Sequence, residues 1–391
     1  MYKMDIQKQI CVIGLGHVGL PVACALANAG YHVHGVDLDE KVIVTISSKT
    51  ISYPEPNLQD LLIKSIQNGR LKVANKPVSA EIYIITVPTP LDLANKPDIS
   101  YINSAIETIQ PFLKLGDLIL IESTCPIGTT EKLAKKLNSI TPCVNIAYCP
   151  ERVLPGNILY ELVHNDRIVG GVNEISTLKA ANFYKSFTKG EILTTNSRTA
   201  EAVKLAENAF RDVNIAYANE LSIIFDNINL DVKEVIKLAN KHPRVQILQP
   251  GPGVGGHCIA VDPWFLISSA PNEARLIAKA RQINIQKTAW VVQKIIRTIK
   301  ENKVNKIACL GLSYKPNISD IRQSPALIIV EMLEREFNIL RVDPYIQNTK
   351  TLHEALAQSD MIVALVAHNE FLNISPNLLE GKILLDFAGV F

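Results

Sequence analysis

Apolar positions along this 391-residue chain form short unbroken runs, separated by stretches of helical periodicity. Strand-like segments stand at 9–14, 31–37, 81–87, 117–123, 144–149 and 167–171. Between them lie segments with apolar residues at three- and four-residue spacing, among them 18–29, 101–113 and 130–137. Strands apolar on both faces and alternating with helices predict a parallel sheet covered on two sides. This alternation fills the chain to about residue 196. The texture then changes. Residues 199–227 contain no proline or glycine and predict one long helix; 231–240 and 272–300 predict two more. Strand signals resume at 306–312, 338–342, 361–365 and 382–386, and Lys306-Ile307-Ala308-Cys309-Leu310-Gly311-Leu312 echoes Gln9-Ile10-Cys11-Val12-Ile13-Gly14-Leu15. The expected fold is α/β: two Rossmann-like doubly wound parallel-sheet domains, at 1–198 and 303–391, joined by a helical middle domain at 199–302 with a long central helix. The second sheet domain lacks the full glycine fingerprint and need not bind a dinucleotide.

Composition adds exclusions. The chain is too long for a single core, and at 47% hydrophobic, 20% charged and net charge +2 it carries no global field for nucleic acid or a membrane surface. Its longest apolar runs, 82–87 and 118–121, are far short of a membrane span. A strand follows within a few residues of Met1, so no signal peptide is expected. Cysteines stand at 11, 24, 125, 143, 149, 258 and 309, an odd number without any C-x-x-C pair. A disulfide framework and a metal site are therefore not expected; reduced thiols in the cytoplasm are, most of them in the core.

Gly14-Leu15-Gly16-His17-Val18-Gly19 follows a strand and opens a helix, the context that turns a G-x-G-x-x-G match into a dinucleotide fingerprint. Asp37 ends the next strand, where an acid meets ribose hydroxyls and disfavours a 2′-phosphate, so the expected cofactor is NAD. A second unusual stretch is Gly251-Pro252-Gly253-Val254-Gly255-Gly256-His257-Cys258-Ile259-Ala260-Val261-Asp262-Pro263. Glycines there deliver a thiol into close quarters, with a carboxylate four residues on, an arrangement suited to covalent capture of an electrophile. Glu122–Thr130 and Tyr148–Gly156 each follow a strand at the end where open α/β sheets bind ligands. Lys204 and Asn208 are one helical turn apart. Each has a plainer reading: Thr124 as a helix cap, Glu151 paired with Arg152, Lys204 as a solvated charge, Cys258 as a core residue.

Taken in order, Gly14–Pro21, Val87-Pro88-Thr89-Pro90, Ser123-Thr124, Pro150-Glu151, Lys204–Asn208, Gly255-Gly256-His257-Cys258 with Asp262, and Gly311-Leu312-Ser313-Tyr314-Lys315 resemble the UDP-glucose/GDP-mannose dehydrogenase family over nearly the whole chain. The resemblance implies oxidation of a sugar C6 alcohol to a carboxylate with two NAD, through a thiohemiacetal and a thioester on Cys258. It implies that Lys204 and Asn208 stabilise oxyanions, that Asp262 serves proton transfer, and that Thr124 and Glu151 position water, with Glu151 the base. Cofactor contacts are implied at Gly14, Gly16, His17, Val18, Gly19, Asp37, Thr89, Thr124 and Arg322. Substrate contacts are implied at Glu151, Arg152, Val153, Lys204, Asn208, Arg244, Gly253, Gly255, His257 and Lys315. Family members acting on UDP-glucose often carry an acid where Pro155 stands and a lysine where Val261 stands. Their absence implies a UDP-N-acetylhexosamine; within the family, Tyr148–Gly156 and His257–Phe265 resemble the members acting on UDP-N-acetyl-D-mannosamine, which places that sugar ahead of the glucosamine epimer and UDP-glucose and implies a role in surface polysaccharide. The long helix would build a homodimer. Two other classes share parts of this pattern: a two-electron hydroxyacid-type dehydrogenase, and a nucleotide-binding regulator without catalysis.

Overall fold

A computed structural model describes residues 8–140 and 144–391. Cys143 lies outside the described residues. The chain forms two compact units, Met1–Leu205 and Ala206–Phe391.

In the first unit, strands β1 (Gln9–Ile13), β2 (His32–Val36), β3 (Leu71–Ala74), β4 (Ile82–Ile85), β5 (Leu118–Ile121), β6 (Asn145–Tyr148), β7 (Arg167–Gly171) and β8 (Ile192–Asn196) form one sheet in the order β3-β2-β1-β4-β5-β6-β7-β8. The order reverses between β1 and β4, which creates the crevice of a doubly wound sheet. Helices α1 (Gly19–Asn28), α2 (Glu40–Ser47), α3 (Leu58–Gln67), α4 (Ser100–Ile109), α5 (Thr129–Asn138), α6 (Ile158–His164) and α7 (Glu174–Lys185) connect the strands, with α2 and α3 both between β2 and β3 and no helix between β3 and β4. Alternate strand residues feed two cores. Ile10, Val12, Ile82 and Ile84 pack with Leu20, Ala23 and Leu26 of α1. Cys11, Ile13, Tyr83 and Ile85 pack with Ile102 and Ile106 of α4 and Leu133 of α5 on the other face. Double burial is why these strands read as unbroken apolar runs. One join departs from the expected parallel sheet: β7 pairs β6 antiparallel through Ala147↔Gly171 and Tyr148↔Gly170, and β8 follows β7 in parallel.

Helix α8 (Ser197–Asn227) begins in the first unit and ends in the second. There follow α9 (Val232–Ala239), α10 (Asp262–Ser269) and α11 (Arg275–Asn302), then a parallel sheet β10-β9-β11-β12 built from β9 (Lys306–Leu310), β10 (Asn338–Val342), β11 (Met361–Ala364) and β12 (Ile383–Asp386), with α12 (Pro325–Leu333) and α13 (Leu352–Gln358). Within the second unit α8 and α11 share a buried polar seam. Arg281 donates to Asp212 at 2.5 Å, and Asn284 Nδ2 donates to Asp212 Oδ1 at 2.8 Å. Asn219 Nδ2 donates to Asn284 at 2.9 Å. A buried ion pair is costly to break, because removing one partner leaves the other's charge uncompensated in the interior.

The sequence echo is a structural one. Gly14 and Gly311 both turn the chain at positive φ, +93° and +92°. Leu15 N donates to Asp37 at 2.8 Å, and Leu312 N to Asp343 at 2.7 Å. The two acids differ in surroundings. Asp37 is half-exposed, whereas Asp343 is buried against His368, whose Nε2 lies 3.1 Å away. A side chain closes in the second sheet the position that stands open in the first.

Candidate active site

The first unit holds the glycine fingerprint at the crevice between β1 and β4. A Cβ on Gly14 would press on Thr86 O at 2.9 Å, and one on Gly19 would lie 1.8 Å from Gly14 O. At Gly16 it would meet nothing within 4 Å. The first two glycines are thus required by the turn and by helix–strand packing, while Gly16 leaves an open approach to backbone at a helix N-terminus. His17 is exposed beside it and stacks on Tyr53 with centroids 4.1 Å apart; Val18 is half-buried. Thr86 Oγ1 donates to Gly14 O at 2.8 Å and braces the loop from β4, a part sequence reasoning passed over. Asp37 spends one lone pair on Leu15 N and another on Asp39 N at 3.0 Å, which leaves acceptor sites for ribose hydroxyls. These residues fit a dinucleotide. Thr89, half-buried, lies just past β4.

The next two strand ends carry Thr124 and Glu151. Thr124 does not cap α5, since the cap position is Gly128 with φ +91°. It lies half-buried in the turn 122–128, whose Ser123 Oγ donates to Val87 O at 2.7 Å. After β6, the Glu151 carboxylate accepts from Val153 N. Lys204, buried on α8, donates to Glu151 O at 2.7 Å, which replaces the reading of this lysine as a solvated charge. Glu55 pins the far side of the loop, accepting from Gly156 N at 2.8 Å and Ile158 N at 2.7 Å. Arg152 is exposed and reaches Asp166 O at 3.4 Å. Beneath the loop, Tyr184 donates to buried Glu122 at 2.6 Å, and Arg167 lies over the Tyr184 ring at 4.8 Å. Burial pushes the Glu151 carboxyl up to about 7; Lys204, the Val153 N–H and Arg167 act against that rise, and Glu122 with it. Such a carboxyl titrates where a general base is useful.

The second unit holds the thiol. Cys11, Cys24, Cys125, Cys149 and Cys309 are buried, and burial raises the pKa of each; among the described cysteines Cys258 alone is exposed. Cys258 closes a turn in which Asp262 N donates to Cys258 O at 2.8 Å, and Asp262 then opens α10. Asn208 Nδ2 donates to Asp262 Oδ2 at 2.5 Å, so α8 and the thiol's turn are joined through the expected carboxylate. The preceding glycines are dictated by close packing. A Cβ on Gly255 would lie 2.4 Å from Gln323 O, one on Gly256 2.8 Å from the Tyr314 ring, and one on Gly253 2.4 Å from Thr288 Oγ1. Gly256 N donates to Arg322 O at 3.2 Å, bringing the thiol's loop against the loop that carries Tyr314, Lys315 and Arg322. Arg322 is held by Asp320, with Nε at 2.9 Å from Oδ1. Burial, then Arg322, lowers the pKa of His257 and favours its neutral form. Arg244 is exposed in the segment after α9.

The same unit contains a cavity of about 650 Å³ lined by Lys233, Lys237, Lys241, Lys287 and Lys294 with Trp290. Lys287 is buried, its Nζ 3.8 Å from the Trp290 centroid and donating to Ser222 Oγ at 2.7 Å; burial pulls its pKa down to about 7. Among the described residues no helix is long and apolar enough to cross a membrane.

Residues 8–188 match the UDP-glucose/GDP-mannose dehydrogenase family, NAD binding domain; 198–286 match its central domain, and 308–391 its UDP binding domain. The chain is 44% identical to a UDP-N-acetyl-D-mannosamine dehydrogenase of Escherichia coli K12, covering 98% of this chain and 99% of that protein. It is 43% identical to an NDP-N-acetyl-D-galactosaminuronic acid dehydrogenase of Ralstonia nicotianae, covering 98% and 96%. The structure of a UDP-D-ManNAc dehydrogenase from Pyrococcus horikoshii superposes with a TM-score of 0.93 at 39% identity, covering 98% and 96%.

Proposed function

The chain belongs to the UDP-glucose/GDP-mannose dehydrogenase family, and from that premise we propose that it oxidises the C6 alcohol of UDP-N-acetyl-D-mannosamine to the uronate through a covalent intermediate on Cys258. It is an NAD-dependent oxidoreductase. The observation that carries the covalent reading is the exposure of Cys258, where the other described cysteines are buried and held as thiols. Domain boundaries at 1–198, 199–302 and 303–391 suit this division of labour.

The Gly14–Gly19 loop and Asp37, with Thr89, Thr124 and Arg322, would hold NAD, which would supply the hydride acceptor for each of the two oxidations of C6. Lys204 and Asn208 donate to the C6 oxygen as it gains charge, an interaction worth ~10²–10³ in rate per donor. Asp262 relays the alcohol's proton to water. The Cys258 thiolate adds to the C6 aldehyde, and the new C–S bond restores a tetrahedral carbon with a hydrogen to give up. Loss of that hydride and of the hydroxyl proton leaves a thioester. Glu151 takes a proton from a water held by Thr124; the water adds to the carbonyl carbon, the C–S bond breaks and the thiolate leaves. Arg152, Val153, Arg244, Gly253, Gly255, His257 and Lys315 contact the substrate, and the lysine-lined cavity with its indole suits a pyrophosphate and a base.

Relatives of similar identity bear different sugar names, so sugar choice rests on Pro155, Val261 and His257. Competition between UDP-N-acetylmannosamine, UDP-N-acetylglucosamine and UDP-glucose tests it. The mannosamine substrate is expected to win by ~10²-fold in kcat/KM, which needs about 2.7 kcal/mol at the transition state. Equal turnover of UDP-glucose would overturn the choice.

We also propose a homodimer through α8. Phe210, Tyr217 and Ile224 of α8 are 71%, 52% and 47% exposed at seven-residue spacing, a stripe of the kind that marks an interface. Sedimentation velocity should show a dimer, and Tyr217→Glu a monomer; a wild-type monomer at micromolar concentration overturns this. A cytoplasmic enzyme feeding surface polysaccharide completes the reading, and a deletion strain that still displays the uronic acid would contradict it.

A further inference from the structure

Glu201 stands on α8 one turn before Lys204 and is completely buried. Helix capping accounts for part of its surroundings. The cap residue of α5 is Gly128, which has no side chain to offer the first N–H groups. The Glu201 carboxylate takes that place from another helix. Its Oε2 accepts from Gly128 N at 2.5 Å. Its Oε1 accepts from Thr130 N at 2.8 Å and Thr130 Oγ1 at 2.6 Å. The Cys125 thiol lies 3.5 Å from the same oxygen. A carboxylate at a helix N-terminus gains from the helix dipole as well as from these donors. One turn further along α8, Lys204 reaches the other loop through Glu151 O at 2.7 Å. A single turn of one helix therefore grips both strand ends that bear Thr124 and Glu151.

We propose that Glu201 is a positioning residue for the reaction: by anchoring the 123–130 turn to α8 it sets Thr124 and holds Lys204 in register with Glu151. The proposal rests on the roles given above to Lys204 and Glu151. Glutamine at this position keeps the shape but turns one acceptor into a donor facing an N–H group, so the turn loses its anchor. The charged groups around Glu151 are Lys204 from α8, Arg167 from β7, Glu122 just past β5, and Arg152, Glu161 and Asp166 in the cleft beside its loop. Of these, Lys204 is the largest influence holding the Glu151 carboxyl down. Displacing Lys204 lets that carboxyl rise, so the acid limb of the rate profile moves to higher pH. A merely structural defect lowers stability without moving the limb.

The test is the pH dependence of kcat for wild type and Glu201→Gln, with KM for both substrates. The expected result is a loss in kcat of about tenfold, KM within about threefold, and an acid limb at least ~0.5 pH unit higher. A folded Glu201→Gln enzyme with wild-type kcat and an unmoved limb overturns the proposal. If Glu201→Gln does not fold, Thr130→Val decides: it removes the hydroxyl donor alone. A limb that moves in Thr130→Val and returns in Thr130→Ser supports positioning, and an unmoved limb in Thr130→Val overturns it. A wild-type enzyme with no limb near neutrality overturns the role of Glu151 and this proposal with it, a failure visible without any variant.

Discussion

Cys258→Ala is expected to abolish uronate formation, by on the order of 10³-fold or more, while NAD affinity stays within twofold. The effect is large because the thiol supplies a bond, not a contact. Without it the aldehyde has no route to a carbon that can give up a second hydride. The cofactor loop is built from Gly14–Gly19, Thr86 and Asp37 in the first unit, so the substitution leaves cofactor binding intact. Cys258→Ser should remain slow, since an alkoxide is far harder to generate than a thiolate. Acid production by Cys258→Ala at near wild-type rate, followed by chromatography of the sugar nucleotide, would sink the covalent mechanism.

Glu151→Gln carries the second large effect, a loss of ~10²–10⁴ in the release of acid, the range for general acid–base catalysis. The pH profile gives its signature. The base must be ionised, and burial raises the Glu151 carboxyl to about 7. In the wild type kcat is therefore expected to rise about tenfold per pH unit below 7 and to level off above it. In Glu151→Gln that limb should vanish and enzyme-bound thioester should accumulate, detectable by intact mass after denaturation. A limb that persists unchanged in the variant would assign the base elsewhere.

The parts of this protein that could be read from its sequence are those where one residue type admits one physical explanation. β1, β4 and β5 are apolar on both faces because helices cover both, and unbroken runs such as Ile82–Ile85 announce it. The fingerprint glycines were legible because Gly14 and Gly19 leave no room for a Cβ. The edge strand β3 was not: Leu71–Ala74 pairs with β2 alone, and exposed Lys72 beside buried Leu71 breaks the apolar run. The antiparallel entry of β7 is a matter of pairing, to which Arg167–Gly171 gives no local clue. At the site, Cys258 and Asp262 were marked by the glycines around them, but the exposure of the thiol follows from how Gly255 and Gly256 pack on Gln323 and Tyr314. Glu55 and Glu201 had no signal at all. A glutamate beside a proline or on a helix reads as a solvated charge, and only the tertiary placement of bare N–H groups makes each one a buried acceptor.

Counting NADH against sugar decides the central claim. With UDP-N-acetyl-D-mannosamine limiting and NAD in excess, absorbance at the nicotinamide band should report two NADH for every sugar nucleotide consumed, with one uronate formed. One NADH per sugar would make this a two-electron dehydrogenase, and none a nucleotide-binding protein without catalysis; either result would contradict oxidation through a thioester on Cys258.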